Sequence, residues 1–140
     1  MRTEITTSTQ INASPEKVWS ILLDFNNYSN WNPFITSITG VPKKGEKLHV
    51  QIGSMQFSPI ILEYNINKEL KWKGKLLFNG LFDGKHRFLL EDNKDGTTTF
   101  IHSEKFFGIL VPLFSKKIHT EVRNGFISMN KALKEIAERV

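Results

Sequence analysis

The stretch PLFSKKIHTEVRNGFISMNKALKEIAERV, residues 112–140, decides the fold of this chain. Its apolar residues recur in steps of three or four, so they form one stripe along a helix: Phe114, Ile118, Val122, Phe126, Met129, Leu133 and Ile136. Pro112 suits the first turn, where its missing N–H is not needed. The predicted helix is roughly 40 Å long at about 1.5 Å per residue, which is longer than a compact domain needs unless something is laid along it.

The residues before this helix mostly alternate between apolar and polar with a period of two, which is typical of strands. Seven strands are predicted, near residues 3–12, 34–40, 47–52, 57–66, 70–77, 85–91 and 97–107. After the first strand, Ser14 and Pro15 begin a short helix, and a second short helix or turn ends at Pro33. We therefore predict a single α+β domain, residues 1–140, in which a curved seven-stranded antiparallel sheet wraps around the long C-terminal helix.

Composition excludes several classes of protein. The 140 residues contain no cysteine, which excludes disulfides, thiolate metal sites and cysteine nucleophiles. The first residues lack the apolar segment of a secretory signal, and no apolar run approaches the roughly 20 residues that a membrane span needs. We expect a cytoplasmic protein without stable membrane insertion.

The basic charge of the chain raises the question of nucleic-acid binding. The net charge is +5 and the isoelectric point is about 9.5, but the lysines are spread along the chain. Lys71, Lys73 and Lys75 alternate with apolar residues or glycine, which is typical of the solvated face of a half-buried strand. No aromatic-basic RNA motif or zinc-finger spacing is present. We therefore expect no nucleic-acid partner.

Five segments carry a resemblance to a known family: INASPEKVW at 11–19, WNPF at 31–34, WKG at 72–74, GLFDGKHRF at 80–88 and HSEKFFG at 102–108. The sequence resembles the START-like (SRPBCC) superfamily, in particular its polyketide cyclase/dehydrase-like branch. The resemblance implies the helix-grip fold, with a cavity between the concave sheet and the long helix. That superfamily includes lipid carriers, hormone receptors, aromatic cyclases and activators of a heat-shock ATPase, so the fold does not choose among these functions.

Large apolar side chains are the predicted wall of that cavity. We expect the ligand to contact Trp31, Phe34, Trp72, Phe88, Phe100, Phe106, Phe126 and Met129. Burial in the core is the alternative for each of them. Gly125 interrupts the long helix, and either close packing or space for a ligand explains it.

Three polar residues share faces with these aromatic residues. His86 alternates with Phe88, and His102 and Glu104 alternate with Phe100 and Phe106. Convergent polar groups in an apolar cavity are typical of small-molecule sites, so all three are candidate catalytic residues for acid–base chemistry. The alternatives are structural hydrogen bonding, or a strand twist or bulge that turns these side chains toward water. A metal site made of these three lacks a diagnostic motif, and we predict no metal and no cofactor.

Three functions remain open at this point. The first is binding of a hydrophobic small molecule, lipid-like or aromatic. The second is a cofactor-independent cyclase or dehydratase that uses the His and Glu side chains for proton transfer. The third is a protein-interaction module, as in the heat-shock ATPase activators.

Overall fold

A computed structural model describes residues 2–75 and 82–139. These residues form eight strands: β1 (Arg2–Ile11), β2 (Ile35–Thr39), β3 (His49–Ile52), β4 (Met55–Phe57), β5 (Ile60–Asn65), β6 (Glu69–Lys75), β7 (Asp83–Asp92) and β8 (Thr98–Phe107). Helix α1 (Pro15–Leu22), a 3-10 turn (Phe25–Asn27) and helix α2 (Tyr28–Trp31) lie between β1 and β2. The predicted strand end at residues 76–77 and positions 80–81 of the GLFDGKHRF segment lie outside the described residues.

The strands form two antiparallel sheets, so the prediction of one seven-stranded sheet is wrong. The larger sheet has five strands in the order β1-β8-β7-β6-β5, and the smaller has three in the order β2-β3-β4. The predicted strand at 57–66 divides at Pro59, which has no N–H to donate to a ladder. Phe57 pairs with β3, and residues 60–65 pair with β6.

Main-chain hydrogen bonds nevertheless connect the two sheets. The Leu48 N–H donates to the Pro59 carbonyl at 2.8 Å, and the Ile61 N–H donates to the Glu46 carbonyl at 3.0 Å. Residues preceding β3 thus pair with the start of β5. This pairing keeps the smaller sheet beside the larger one.

The first short helix begins as the Ser14-Pro15 pattern predicts. Ser14 has extended backbone angles, and its hydroxyl accepts a hydrogen bond from the Lys17 N–H at 3.2 Å. Pro15 occupies the first turn, where a missing N–H leaves no bond unmade. The apolar face of α1 buries Val18, Trp19 and Leu22.

The long C-terminal helix has three parts: α3 (Val111–Lys117), a π-helical segment (Ile118–Val122) and α4 (Arg123–Ala137). The π segment keeps the apolar stripe on one side of the helix although the apolar residues here are spaced four apart. Residues 114, 118, 122 and 126 are four apart, and each step of four overshoots a 3.6-residue α-turn by about 40°. The wider i→i+5 turn of a π segment reduces this drift. Ile118 and Phe126 are therefore both buried.

Two groups of apolar side chains are buried between the helix and the strands. The large cluster contains Trp72, Phe88, Phe100, Met129 and Leu133 together with the apolar face of α1. The small cluster contains Ile5, Phe82, Phe106, Val111, Ile118 and Phe126.

Candidate functional site

A cavity of about 250 Å³ lies beside the small cluster. Its described walls come from the long helix, β8, the residue before β7, and the smaller sheet with its flanking residues. The lining residues are Phe34, Ile52, Met55, Phe57, Phe82, Glu104, Phe106, Phe114, Lys117, Ile118 and Val122. All of these are apolar except Glu104 and Lys117. Met55 is 41% exposed and the Lys117 side chain is 65% exposed, so these two residues mark the mouth. The buried Glu104 marks the inner end.

A larger groove of about 430 Å³ lies on the smaller sheet. It is open to solvent, and most of its lining is polar, including Ser37, Thr39, Gln51 and Gln56. An apolar ligand would lose little contact with water there. The cavity beside the small cluster is therefore the candidate ligand site.

Only part of the predicted ligand set lines this cavity. Phe34 and Phe106 form part of its wall. The others are not among its lining residues: Trp72, Phe88, Phe100, Phe126 and Met129 are buried at 0–1% exposure, and Trp31 is half-buried against the large cluster. Alternation places an aromatic residue on an inner face, but it does not distinguish a filled region of that face from an open one.

Several lining residues were not among the predicted ligand contacts: Ile52, Met55, Phe57, Phe82, Phe114, Lys117, Ile118 and Val122. Phe114, Ile118 and Val122 belong to the apolar stripe of the long helix, so the sequence carries a signal for them. Met55 and Phe57 lie on β4. The predicted strand at 57–66 joined Phe57 to β5, and Met55 lay outside the predicted strands. Their place in the wall depends on how the smaller sheet folds over the cavity.

The WNPF segment positions one wall of the cavity. The Asn32 side-chain oxygen accepts hydrogen bonds from the Phe34 N–H at 2.9 Å and the Ile35 N–H at 2.8 Å. These bonds hold the backbone where β2 begins. The Phe34 ring then lies against Gly125, where an added Cβ would be only 2.4 Å from its Cδ1. Gly125 therefore leaves room for the Phe34 ring.

Strand register brings the three predicted polar residues together. His86 of β7 lies opposite Glu104 of β8, and His102 is two residues away on the same face. The His86 Nδ1 is 3.2 Å from the Glu104 Oε1, and the His86 Nε2 is 2.7 Å from the His102 Nε2.

This contact continues into a longer hydrogen-bond chain. His102 Nδ1 is 2.8 Å from the Asn130 side-chain oxygen on α4. The Asn130 amide donates to the Thr7 hydroxyl at 2.8 Å, and that hydroxyl donates to the His102 main-chain carbonyl at 2.9 Å. All five residues are buried. The chain spans the long helix, β1, β8 and β7.

The direction of the chain follows from its last acceptor, because a carbonyl oxygen cannot donate. Since Thr7 donates to that carbonyl and accepts from the Asn130 amide, the Asn130 oxygen accepts from His102 Nδ1–H. A neutral His102 then accepts at Nε2 from His86 Nε2–H. Burial favours the neutral form of His86. That form accepts at Nδ1, so Glu104 donates to it as a carboxylic acid.

Burial shifts all three groups toward this uncharged state. Desolvation raises the pKa of Glu104 to about 8 and lowers the pKa of His86 to about 3. Desolvation, together with the neighbouring His86, lowers the pKa of His102, whereas the bond to Asn130 acts in the opposite direction. Ring packing encloses the imidazoles: Trp72 stacks on His86 with centroids 4.9 Å apart, and Phe126 stacks on His102 at 4.0 Å.

No group of three or more metal-ligating side chains with the arrangement of a metal site occurs within residues 2–75 and 82–139. His86 and His102 direct their Nε2 atoms at each other, 2.7 Å apart. That distance leaves no room for a metal ion between them. In the same part of the chain, no helix is both long and apolar enough to span a bilayer.

Comparison with known proteins decides the family. The sequence model of the family described as "Polyketide cyclase / dehydrase and lipid transport" matches residues 2–140. The chain belongs to this family. No curated protein sequence matches the chain.

Solved structures agree with the family at the level of the fold. A hypothetical protein from Helicobacter pylori has a TM-score of 0.84 and 14% identity, covering 97% of this chain and 88% of its own. The Zhui aromatase/cyclase from Streptomyces sp. R1128 has a TM-score of 0.78 and 12% identity, with 99% and 95% covered. A START superfamily protein from Mycobacterium smegmatis has a TM-score of 0.74 and 19% identity, with 96% and 97% covered. Identities this low show the helix-grip fold of the family alone.

Proposed function

We propose that this protein binds an apolar small molecule in the cavity between the long helix and the two sheets. The observation that carries the proposal is the lining, in which apolar side chains surround one buried carboxylic acid. Small-molecule sites combine a largely apolar wall with a few polar groups that orient the ligand. The family description, which includes lipid transport, agrees with this function.

The energy of an empty cavity supports the proposal. A dry void of 250 Å³ would cost roughly 6 kcal/mol at about 24 cal/mol per Å³. That is comparable to the total stability of a domain, about 5–15 kcal/mol. Water entering through the mouth reduces the cost but finds few polar partners on the described walls. A ligand recovers the lost contacts.

Native mass spectrometry of protein purified from its own host tests this function. At the packing density of protein interiors, about 0.75, the cavity holds roughly a dozen non-hydrogen atoms. We therefore expect an additional mass of roughly 200 Da that is lost when the protein unfolds.

A cavity-filling variant provides the control. Val122 lines the cavity, so Val122→Phe should remove the extra mass. Ile127 lies on the same helix, is 49% exposed and is not among the lining residues, so Ile127→Phe should retain it. The proposal fails if the wild type carries no such mass and no apolar compound of this size raises its melting temperature.

Acid–base catalysis is the second candidate function. The observation that favours it is the carboxylic acid of Glu104 at the inner end of the cavity, where burial raises its pKa to about 8. Such a group is an effective general acid. In a dehydration, Glu104 would turn its O–H from His86 Nδ1 to the leaving hydroxyl and donate its proton there. Its carboxylate would then accept the proton from the carbon next to the ketone. Water leaves, and the enzyme is restored.

A β-hydroxy ketone of suitable size tests this activity. Loss of water from 4-hydroxy-4-phenylbutan-2-one gives a conjugated ketone that is followed by ultraviolet absorbance. Glu104→Gln retains a donor to His86 but cannot transfer a proton, so it should abolish turnover and leave the fold intact. Equal turnover by this variant would remove Glu104 from the mechanism.

A further inference from the structure

We infer that the cavity selects an amphipathic ligand, with an uncharged hydroxyl group at the inner end against Glu104 and a carboxylate at the mouth beside Lys117. This inference rests on the proposed binding function and names its ligand class. Glu104 and Lys117 are the ionisable residues among the described lining of the cavity. They occupy opposite environments, since Glu104 is 8% exposed and the Lys117 side chain is 65% exposed.

The hydrogen-bond chain determines what the inner end accepts. Because the Glu104 O–H is donated to His86 Nδ1, the other oxygen of the acid is a carbonyl-type acceptor. A ligand hydroxyl can donate to this oxygen. A ligand carboxylate at the same place would be buried beside an acceptor without a donor of its own, which is strongly unfavourable.

The mouth has the opposite preference. Lys117 lies at the end of α3, and its nearest acidic partner in the described residues is Glu121, with Nζ and Oε2 3.9 Å apart. That distance is at the limit of an ion pair, and the Glu121 side chain is 74% exposed. So weak a pair does not neutralise the lysine. A ligand carboxylate at the mouth would gain this charge and remain in contact with water.

The aromatic walls suggest the body of a suitable probe. Rings line the cavity at Phe34, Phe57, Phe82, Phe106 and Phe114, and flat aromatic ligands pack well against such rings. The compound 6-hydroxy-2-naphthoic acid carries a hydroxyl and a carboxylate at opposite ends of a two-ring body. Three relatives change one end at a time: 2-naphthoic acid, 6-hydroxy-2-naphthamide and 2,6-naphthalenedicarboxylic acid.

Isothermal titration calorimetry at pH 7 measures which ligand group the inner end and the mouth of the cavity each prefer. We expect the hydroxy acid to bind most tightly. Loss of the hydroxyl or conversion of the carboxylate to an amide should each weaken binding about three-fold, as for one hydrogen bond or one exposed ion pair. The diacid should bind at least ten-fold more weakly because one anion must be buried.

A matched pair of lysine variants isolates the contact at the mouth. Lys117→Gln should weaken binding of the hydroxy acid about three-fold and leave the amide unaffected. Lys116 is exposed on the same helix and is not among the lining residues, so Lys116→Gln should change neither affinity. Glu104→Gln should retain the preference for the hydroxyl because its amide oxygen still accepts.

The outcomes separate this inference from the proposed function. Equal affinities for the hydroxy acid and the diacid would overturn it, and so would equal effects of the two lysine variants. If no naphthalene binds but the native protein carries an extra mass, the inference fails and the binding function stands. If no naphthalene binds, the native protein carries no extra mass and no apolar compound of this size raises its melting temperature, both fail.

Discussion

The large and small clusters lie against the same helix but differ in how completely they are packed. In the large cluster, Met129, Leu133 and Ala137 of α4 have no exposed surface. In the small cluster, Phe114 and Val122 are only partly buried and border the cavity. The helix-grip arrangement thus has one filled end and one open end.

The residues between the filled end and the open end show how the fold provides a ligand site. Asn130 and His102 lie between them, and the hydrogen-bond chain from Thr7 through His86 reaches the cavity at Glu104. Trp72, Phe88 and Phe100 fill the space on one side. On the other side, the helix changes to π geometry at Ile118–Val122. The difference in packing leaves room for a ligand without giving up a close-packed core.

Of the predicted effects on stability, those of truncating an apolar side chain in each cluster should be the largest. Leu133→Ala removes a fully buried side chain and should lower the free energy of unfolding by about 3 kcal/mol. Phe114→Ala loses a ring that stacks on Phe82 with centroids 5.0 Å apart, but that ring already borders a cavity. Its cost should be about 1.5 kcal/mol. Urea unfolding measures both, and equal losses would contradict the distinction between a filled and an open end.

The buried acid should make stability depend on pH. Glu104 has a folded pKa of about 8 against an ordinary 4.5, so between these values the folded state retains a proton that the unfolded chain loses. Stability therefore falls as pH rises through this window, by up to about 1.4 kcal/mol per pH unit. His86, with a folded pKa of about 3 against 6.5, and His102 act oppositely, since stability falls as pH decreases below 6.5.

These three groups together predict a maximum of stability near pH 6.5. Between pH 6.5 and 8 the wild type should lose about 2 kcal/mol, and Glu104→Gln should lose much less because an amide does not titrate. Lys117 faces the same cavity, and Lys117→Gln serves as the control that should retain the loss. Chemical unfolding at several pH values measures this, and identical profiles for wild type and Glu104→Gln would show that Glu104 is not a neutral acid.

Substitution of Gly125 should affect ligand binding at the open end more than overall stability. Gly125→Ala gains about 1 kcal/mol of helix propensity, but its Cβ would lie 2.4 Å from Phe34 and must displace that ring. We expect stability to change by less than about 1 kcal/mol and affinity for a bound naphthalene to fall several-fold. Ser128 is exposed on the same helix, so Ser128→Ala should leave affinity unchanged. Unaltered binding by Gly125→Ala would show that the Phe34 ring does not contribute to the ligand site.

Sequence periodicity predicted the elements of this fold better than their assembly. The apolar stripe from Phe114 to Ile136 indicated the long helix, and alternation located most strands, because both patterns follow from local backbone geometry. The number of sheets was wrong because the division at Pro59 depends on two different partners, β3 and β6. Pairing between distant strands is not encoded in local alternation.

The candidate site was also predicted only in part from the sequence. His86, His102 and Glu104 were assigned to aromatic faces from their alternation, and the register of β7 and β8 places them in contact. Asn130 and Thr7 were not predicted, since they join the chain from α4 and β1, 123 residues apart in sequence. The cavity wall was predicted only at Phe34 and Phe106, because which aromatic residues are left partly uncovered depends on neighbouring elements.

The sequence by itself determined the α+β class, the long helix that the strands wrap around and the strand faces that His86, His102 and Glu104 share with aromatic residues. Each of these follows from the period with which side chains leave a strand or a helix. The tertiary structure alone decided the division into two sheets, the position of the cavity and the direction of the hydrogen-bond chain. These depend on side chains that meet across several elements, and burial among them keeps Glu104 uncharged.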